Sequence, residues 1–242
     1  MEGPRPAHRQ LAAFRWSVTD TPRAIRSFVT RAGRITPAQE RALATLWPKY
    51  GVDLDGPLDL EAVFGRHARR IAEIGFGNGD HLLGLAGARS EDDFLGIEVH
   101  RPGVGRLLLG LEERGMHNVR IVCHDAVEVL ERHLSGPCLD EILILFPDPW
   151  PKKRHHKRRL IQGPFVSLLA QRLKSGGTVR LATDWAPYAE EMLAHLAAEP
   201  RLRNLAADGG FAPRPAQRNA TRFERRGERL GHKVWDLAFA RI

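Results

Sequence analysis

Cysteine is scarce in this chain, whose 242 residues contain only Cys123 and Cys138. Two thiols are too few for a disulfide-rich scaffold, and neither belongs to a cluster of metal-ligating residues. Because each lies in a predicted strand, we expect both to be reduced core residues of a cytoplasmic protein.

Long apolar runs are absent as well. A membrane-spanning helix needs about 20 consecutive apolar residues, and no stretch of this sequence approaches that length. The N-terminus has no apolar segment of the signal-peptide kind, and there is no internal repeat. We therefore expect neither a membrane-spanning protein nor an exported or repeat protein.

The residues that are abundant indicate a basic globular protein. Hydrophobic residues make up 43% of the chain, enough for a sizeable core. Lysine and arginine number 37 against 29 acidic residues, a formal net charge of +8. This balance favours a polyanionic partner, either nucleic acid or anionic lipid.

Changes in composition divide the chain into three parts. Residues 1–33 are predicted to be a basic, flexible N-terminal arm. Residues 34–69 are predicted to be a helical extension and linker, whose first helix starts at Thr36 with a capping box closed by Gln39. Residues 70–242 are predicted to form the main domain.

The main domain alternates short apolar runs with helical patterns. Strands are predicted to begin near Ile71, Phe94, Val119, Leu139 and Thr178, and helices near 79–88, 104–114, 126–133, 160–173 and 185–198. This alternation predicts an α/β fold of the Rossmann-like type, a mostly parallel sheet with helices on both faces. The last apolar run, 233–239, follows a short linker and is predicted to be an antiparallel C-terminal strand.

One stretch, Ile142 to Arg159, joins three features that point to a ligand. It opens as a buried strand, holds Asp148 between Pro147 and Pro149, and then becomes densely cationic. In open α/β sheets, ligands bind at the carboxyl ends of the strands. The cations indicate a ligand with phosphates, although an ordinary Asp-Pro turn beside a solvated basic face is the plainer alternative.

A glycine-rich turn after the first strand predicts a cofactor site. Gly75 and Gly77 allow close approach of the backbone to a ligand, but the third glycine of the dinucleotide fingerprint is replaced by Asp80. Alternating glycines are typical of S-adenosylmethionine enzymes. Glu98 is placed to accept hydrogen bonds from ribose hydroxyls, and Asp125 from the adenine amino group. We therefore predict S-adenosylmethionine as the cofactor.

Several motifs resemble those of the bacterial tRNA (guanine-N7-)-methyltransferases. They are Arg26-Ser27-Phe28-Val29, Glu73 to Gly79, Gly96-Ile97-Glu98-Val99-His100, Cys123-His124-Asp125-Ala126, Phe146 to Lys152, Thr183-Asp184-Trp185 and Thr221 to Glu224. The resemblance extends from about Arg26 to the C-terminus. It implies transfer of a methyl group from S-adenosylmethionine to N7 of guanine 46 in the variable loop of tRNA, forming 7-methylguanosine.

The resemblance also implies roles for individual residues. Those expected at the cofactor are Glu73, Gly75, Gly77, Glu98, Asp125 and Asp148, with Asp148 also the catalytic candidate. Those expected at the substrate are Lys152, Asp184, Thr221, Arg222, Phe223 and Glu224. From the basic run we expect Lys153, Arg154, Lys157, Arg158 and Arg159 to contact the RNA backbone. No metal is expected, because His155 and His156 adjoin only cations. No membrane partner is expected, and the protein is expected to be a monomer or weak homodimer.

Other interpretations of the same residues stay open. Asp184 is also placed to cap the helix that follows it, and Thr221 to Glu224 match a capping box. For the whole protein, a methyltransferase acting on a protein side chain or a small molecule is one alternative. A nucleic-acid-binding module with a degenerate cofactor site is the other. Detection of 7-methylguanosine after incubation with tRNA separates all three.

Overall fold

Short apolar runs form the strands of a single mixed sheet. The computed structural model describes residues 25–28, 34–215 and 233–242. Its strands are β1 (Arg70–Ile74), β2 (Asp93–Ile97), β3 (Val119–Val122), β4 (Leu139–Leu145), β5 (Leu173–Thr183), β6 (Leu202–Asn204) and β7 (Trp235–Arg241). Their order across the sheet is β3-β2-β1-β4-β5-β7-β6. This confirms the predicted α/β fold.

The first five strands run parallel, and β7 pairs antiparallel to β5 and to β6. The predicted antiparallel C-terminal strand is therefore confirmed. Strand β5 starts at Leu173, earlier than predicted, because Leu173 pairs with Leu139 before the register shifts and Thr178 pairs with Glu141. Strand β6 was not predicted, since its three residues are too few to display a pattern.

Three helices precede β1, and the others lie between the strands, close to the predicted positions. In chain order they are α1 (Pro37–Thr45), α2 (Trp47–Tyr50), α3 (Leu60–Phe64), α4 (Asp80–Ala88), α5 (Arg101–Glu113), α6 (Ala126–Glu128), α7 (Gly163–Arg172) and α8 (Ala186–Ala197). Helix α6 continues into a π-helical turn, Val129–His133, and the basic run forms a 3-10 helix, Lys153–Arg158. The 3-10 helix was not predicted.

Two apolar clusters hold the helices to opposite faces of the sheet. One cluster contains residues of α4 and α5 and the other residues of α7 and α8. The predicted capping box of α1 is present, with Thr36 N–H donating to Gln39 Oε1 at 2.8 Å. Leu43 and Trp47 are buried in the cluster that contains α5. The 34–69 segment thus packs onto the main domain, while the boundaries at 33 and 69 stay predictions.

The prediction that both cysteines lie within strands is wrong by one residue in each case, and Cys138 is only partly buried. Cys123 follows β3 and Cys138 precedes β4, and both thiols are free. Burial raises the pKa of Cys123 to about 12 and that of Cys138 to about 11. Thiols that stay protonated at neutral pH are poor nucleophiles. No helix within the described residues is long and apolar enough to cross a membrane.

Candidate active site

The carboxyl ends of the five parallel strands meet at one edge of the sheet, where ligands bind in open α/β folds. Chain order reverses between the neighbouring strands β1 and β4, so this edge contains the topological switch point. Every described acidic residue predicted from the sequence lies at or just after a strand end here: Glu73, Glu98, Asp125, Asp148 and Asp184.

The glycine-rich turn after β1 depends on backbone conformations that favour glycine. Gly75, Gly77 and Gly79 have φ angles of 73°, 57° and 78°. A side-chain carbon at Gly75 or Gly77 would meet no atom within 4 Å, so the turn faces open space at both positions. This open cradle fits the close approach of a ligand to the backbone.

The carboxylate of Glu98 organises that turn. Its Oε2 accepts a hydrogen bond from Gly77 N–H at 2.8 Å, and its Oε1 accepts from Val99 and His100 N–H at 2.7 and 2.9 Å. Burial raises the pKa of Glu98, while these N–H groups oppose the rise. Each carboxylate oxygen has two lone pairs, so Glu98 keeps capacity for a ribose hydroxyl while it holds the glycine turn.

Glu73 lies beneath the turn and is nearly inaccessible, at 2% exposed. Its Oε2 lies 2.9 Å from Nδ1 of His81, a buried residue in the first turn of α4. This bond fixes α4 against the strand that carries the glycine turn. Sequence reasoning did not single out His81, because a histidine in an apolar helix has no pattern that indicates a carboxylate partner. The predicted contact of Glu73 with the cofactor stays a prediction.

Gly103 is a second residue that sequence reasoning missed. It lies in the first turn of α5, and an added side-chain carbon there would stand 2.0 Å from the Gly77 carbonyl oxygen. Only glycine allows α5 to pack this closely on the glycine-rich turn. Its signal in the sequence is weak, because the neighbouring Pro102 and Gly105 make it look like an ordinary helix start.

We therefore expect Gly103→Ala to displace the Gly77 peptide and weaken S-adenosylmethionine binding. Overpacking of this kind costs about 1–3 kcal/mol, which corresponds to about 5- to 150-fold in affinity. Calorimetric titration measures it. The matched control is Gly87→Ala in α4, where a side-chain carbon meets nothing within 4 Å. If Gly103→Ala binds the cofactor as tightly as Gly87→Ala does, the turn is not part of the cofactor site.

Asp125 is the N-cap of α6 and lies near the described part of the N-terminal arm. Its Oδ1 accepts from Val127 N–H at 2.9 Å. Burial raises the pKa of Asp125, and this hydrogen bond and the positive charge of Arg26 oppose the rise. Residues 25–28 are held nearby, since Trp150 Nε1 donates to the Ser27 carbonyl at 3.0 Å. The rest of the predicted arm lies outside the described residues.

The loop after β4 presents Asp148 as an exposed residue at the edge of the sheet. Phe146 and Trp150, on either side of it, have φ angles of 54° and 44°. Such left-handed conformations cost about 1–2 kcal/mol for residues other than glycine, and strain of this kind clusters at functional sites. The loop is therefore held in place by its surroundings.

Asp184 follows β5, the strand next to β4, and is half-buried. The alternative interpretation made it the N-cap of the next helix. In the structure, however, Trp185 occupies the N-cap position of α8, and its N–H donates to Thr183 Oγ1 at 3.3 Å. Its predicted substrate contact stays a prediction. Thr221, Arg222, Phe223 and Glu224 lie outside the described residues.

The basic run turns most of its cations outward. Lys152, Lys153, Arg154 and Lys157 are exposed. Arg158 is half-buried with its guanidinium 5.1 Å from the centre of the Trp150 ring. Desolvation, followed by the positive charges of Arg154, Arg158, Lys152 and Lys157, lowers the pKa of His155. Among the residues that the structure describes, no group of three or more His, Cys, Asp or Glu side chains is placed to hold a metal ion.

Arg159 differs from the rest of the run, because the residue is only 4% exposed. Its Nε donates to the Pro149 carbonyl at 2.9 Å, and its Nη1 donates to Glu191. This placement disagrees with the predicted contact to the RNA backbone, since a buried guanidinium offers no surface to a phosphate. The sequence did not reveal this, because Arg158 and Arg159 are chemically identical neighbours.

Comparisons with known proteins give one consistent result. A family model described as "Putative methyltransferase" matches residues 67–237. A tRNA (guanine-N(7)-)-methyltransferase of Leifsonia xyli subsp. xyli is 57% identical over 88% of this chain and 94% of that protein. Proteins of the same name from Nitrosococcus oceani and Pseudomonas aeruginosa are 56% and 54% identical. Both alignments cover 91% of this chain. They cover 92% of the Nitrosococcus oceani protein and 91% of the Pseudomonas aeruginosa protein.

Solved structures resemble the fold at much lower identity. A 16S rRNA (adenine(1408)-N(1))-methyltransferase of Catenulisporales acidiphilia aligns with a TM-score of 0.53 at 17% identity, over 79% of this chain and 95% of that one. The 16S rRNA methyltransferase KamB aligns with a TM-score of 0.53 at 15% identity, over 80% and 98%. These likenesses concern the fold alone, which is that of Rossmann-like methyltransferases.

Proposed function

The chain belongs to the family of bacterial tRNA (guanine-N7-)-methyltransferases, and we propose that it transfers a methyl group from S-adenosylmethionine to N7 of a guanine in tRNA. The observation that carries this proposal is the shared edge of the sheet. There the glycine cradle, the carboxylates after β2 and β3, and the Asp148 loop with its basic helix lie side by side.

The described residues fit S-adenosylmethionine. Gly75 and Gly77 open the backbone to a ligand, and Glu98 and Asp125 offer acceptors at successive strand ends for ribose hydroxyls and an adenine amino group. When bound, the cofactor supplies a methyl group on a positively charged sulfur. The role of the chain is to hold it beside the Asp148 loop and align it with the incoming base.

Asp148 supplies the electrostatic part of the reaction. Guanine N7 carries an exposed lone pair and no proton, so the reaction needs no general base. The purine gains positive charge as it is methylated, and a carboxylate nearby stabilises that charge. The alternative role for Asp148 is to bind the N1–H and amino group of the guanine and so position N7.

The substrate side is formed by the exposed cations and Asp184. We propose that Lys152 contacts the substrate and that Lys153, Arg154, Lys157 and Arg158 follow the tRNA backbone. The modified base is proposed to be guanine 46 of the variable loop. Because tRNA is modified where it is made and used, the proposed location is the cytoplasm, and the monomer or weak homodimer stays a prediction.

One assay tests the proposed function. The protein is incubated with methyl-labelled S-adenosylmethionine and bulk tRNA, and the digested RNA is analysed for 7-methylguanosine. A tRNA transcript in which guanine 46 is replaced serves as the matched substrate control. Label in 7-methylguanosine that is lost with this transcript supports the proposal. Label in protein, or no transfer at all, contradicts it and favours one of the two alternatives.

The basic helix predicts a steep salt dependence. Log affinity for RNA changes by about 0.7–0.9 per phosphate contact for each log unit of salt. Replacing Lys153 and Lys157 together with alanine should therefore reduce the slope by about 1.4–1.8. Filter binding between low and physiological salt measures it. Lys174→Ala, a partly exposed lysine at the start of β5, is the control. A double variant with the slope of the control would mean that the helix does not contact RNA.

A further inference from the structure

Arg159 connects two segments of the candidate active site, the loop after β4 and helix α8. Its Nε donates to the carbonyl of Pro149, the residue directly after Asp148. Its Nη1 donates to Glu191 of α8, the helix that begins two positions after Asp184. One guanidinium therefore ties the loop after β4 to the helix after β5, and these are the two segments that carry the predicted substrate-side carboxylates.

The environment of Arg159 fixes its guanidinium in one position. The side chain lies over the ring of Tyr188, with its central carbon 4.8 Å from the ring centre. Tyr188 is fully buried, and its hydroxyl accepts a hydrogen bond from Ile161 N–H at 3.0 Å. Burial of a cation is costly unless it is paired and hydrogen-bonded. Among the described residues, Arg159 is paired with the partly exposed carboxylate of Glu191 and hydrogen-bonded to the Pro149 carbonyl.

The Pro149 contact lies where the loop needs support. Phe146 and Trp150 both adopt left-handed backbone conformations, and Pro149 lies between them. Strained residues persist only when surrounding contacts determine their conformation. Phe146 N–H donates to the Ala182 carbonyl at 2.8 Å at one end of the loop, and Trp150 Nε1 donates to Ser27. Arg159 adds a contact to Pro149, the residue directly after Asp148.

We propose that Arg159 is a positioning residue for methyl transfer, which holds the Asp148 loop against α8 and so fixes Asp148 relative to Asp184. The proposal rests on the methyltransferase reaction proposed above. It assigns Arg159 a role different from that of the other cations in the basic run. Lysine does not replace arginine here, because a single ammonium lacks the planar fork that reaches a carbonyl and a carboxylate at once.

Two substitutions separate positioning from phosphate contact. Arg159→Lys keeps the positive charge and loses the fork, whereas Arg159→Gln loses the charge. Because a misplacement of about 1 Å can cost about a hundredfold in rate, both variants should slow the single-turnover rate by that order at saturating cofactor and tRNA. The affinity for tRNA and its salt slope should stay at the wild-type values.

The matched control is Arg201→Lys. Arg201 donates from Nε to Glu199 at 2.7 Å and from Nη2 to the Ser167 carbonyl at 3.2 Å, a similar pair of partners. It precedes β6 at the opposite edge of the sheet. This variant should retain the wild-type rate. Thermal unfolding of each variant shows whether it is folded at the assay temperature.

Glu191→Gln extends the test if the Arg159 variants do not fold. It leaves the Pro149 contact and removes the charge of the second anchor, so a loss of about tenfold in rate is expected, as for one charge-assisted hydrogen bond. If Glu191→Gln retains the wild-type rate, the proposal is overturned. It is also overturned if the folded Arg159 variants have a lower melting temperature but a wild-type rate, because Arg159 is then a structural residue.

Two further outcomes are distinct. If Arg159→Gln flattens the salt slope by about 0.7–0.9 while Arg159→Lys keeps both slope and rate, Arg159 contacts a phosphate and the proposal is wrong. If the wild-type protein forms no 7-methylguanosine in tRNA, the proposed function has failed, and the positioning role fails with it. An active wild type with unchanged Arg159 variants overturns the positioning role alone.

Discussion

Replacing Asp148 with asparagine is expected to slow the single-turnover rate by about a hundred- to a thousandfold, the loss of about 2.7–4 kcal/mol of transition-state stabilisation. Asparagine is nearly isosteric with aspartate but neutral. Asp148 is exposed at the edge of the sheet, in a loop held from below by Arg159. Because the charge is needed only as the purine becomes cationic, tRNA affinity should stay nearly unchanged.

The pH profile of the same step distinguishes the roles open to Asp148. Since N7 has no proton to lose, the wild-type rate should be nearly flat from neutral pH upward. Asp55→Asn, an exposed carboxylate before α3, is the control and should behave as wild type. If rate and tRNA affinity fall together in Asp148→Asn, the residue mainly positions the base. A wild-type step that rises with pH and becomes flat in the variant makes Asp148 a general base.

The positions of the main strands along the chain, and the carboxylates that follow them, could be predicted from the sequence, because both depend on local patterns. An apolar run followed by a glycine or an acidic residue predicts a strand and its ligand end without reference to the rest of the chain. Glu98, Asp125 and Asp148 follow such runs, and each lies at the predicted edge.

The contacts that hold the site could not be predicted, because they join residues far apart in sequence. Gly103 approaches Gly77 only after α5 has packed beside the glycine turn. Arg159 turns inward because Glu191 and Tyr188 stand on a helix formed later in the chain. Neither contact leaves a local pattern, and in the sequence Arg159 is one more cation in a basic run.

Replacing Glu98 should weaken cofactor binding more than the loss of a ribose contact alone suggests. In Glu98→Ala, the N–H groups of Gly77, Val99 and His100 lose their acceptor, and the glycine turn loses its anchor. A single hydrogen bond to a charged group contributes about 1.5–3 kcal/mol, so affinity for S-adenosylmethionine should fall by at least about ten- to a hundredfold. Calorimetric titration measures the loss.

Glu98→Gln tests whether the charge or only the shape matters at this position. An amide has one acceptor oxygen, so its NH2 group would face either Gly77 N–H or the N–H groups of Val99 and His100. We therefore expect a loss close to that of Glu98→Ala, whereas Glu113→Gln, exposed on α5, should bind as wild type.

The pH dependence of binding gives a second readout of Glu98. Burial raises the pKa of its carboxyl, so the site takes up a proton at a higher pH than an ordinary glutamate does. Since the ionised carboxylate is the acceptor, cofactor affinity should fall as the pH drops through that raised pKa, and Glu98→Gln should lack this step. Wild-type affinity in Glu98→Gln at neutral pH would show that the charge is not required. Wild-type affinity in Glu98→Ala would place the cofactor elsewhere.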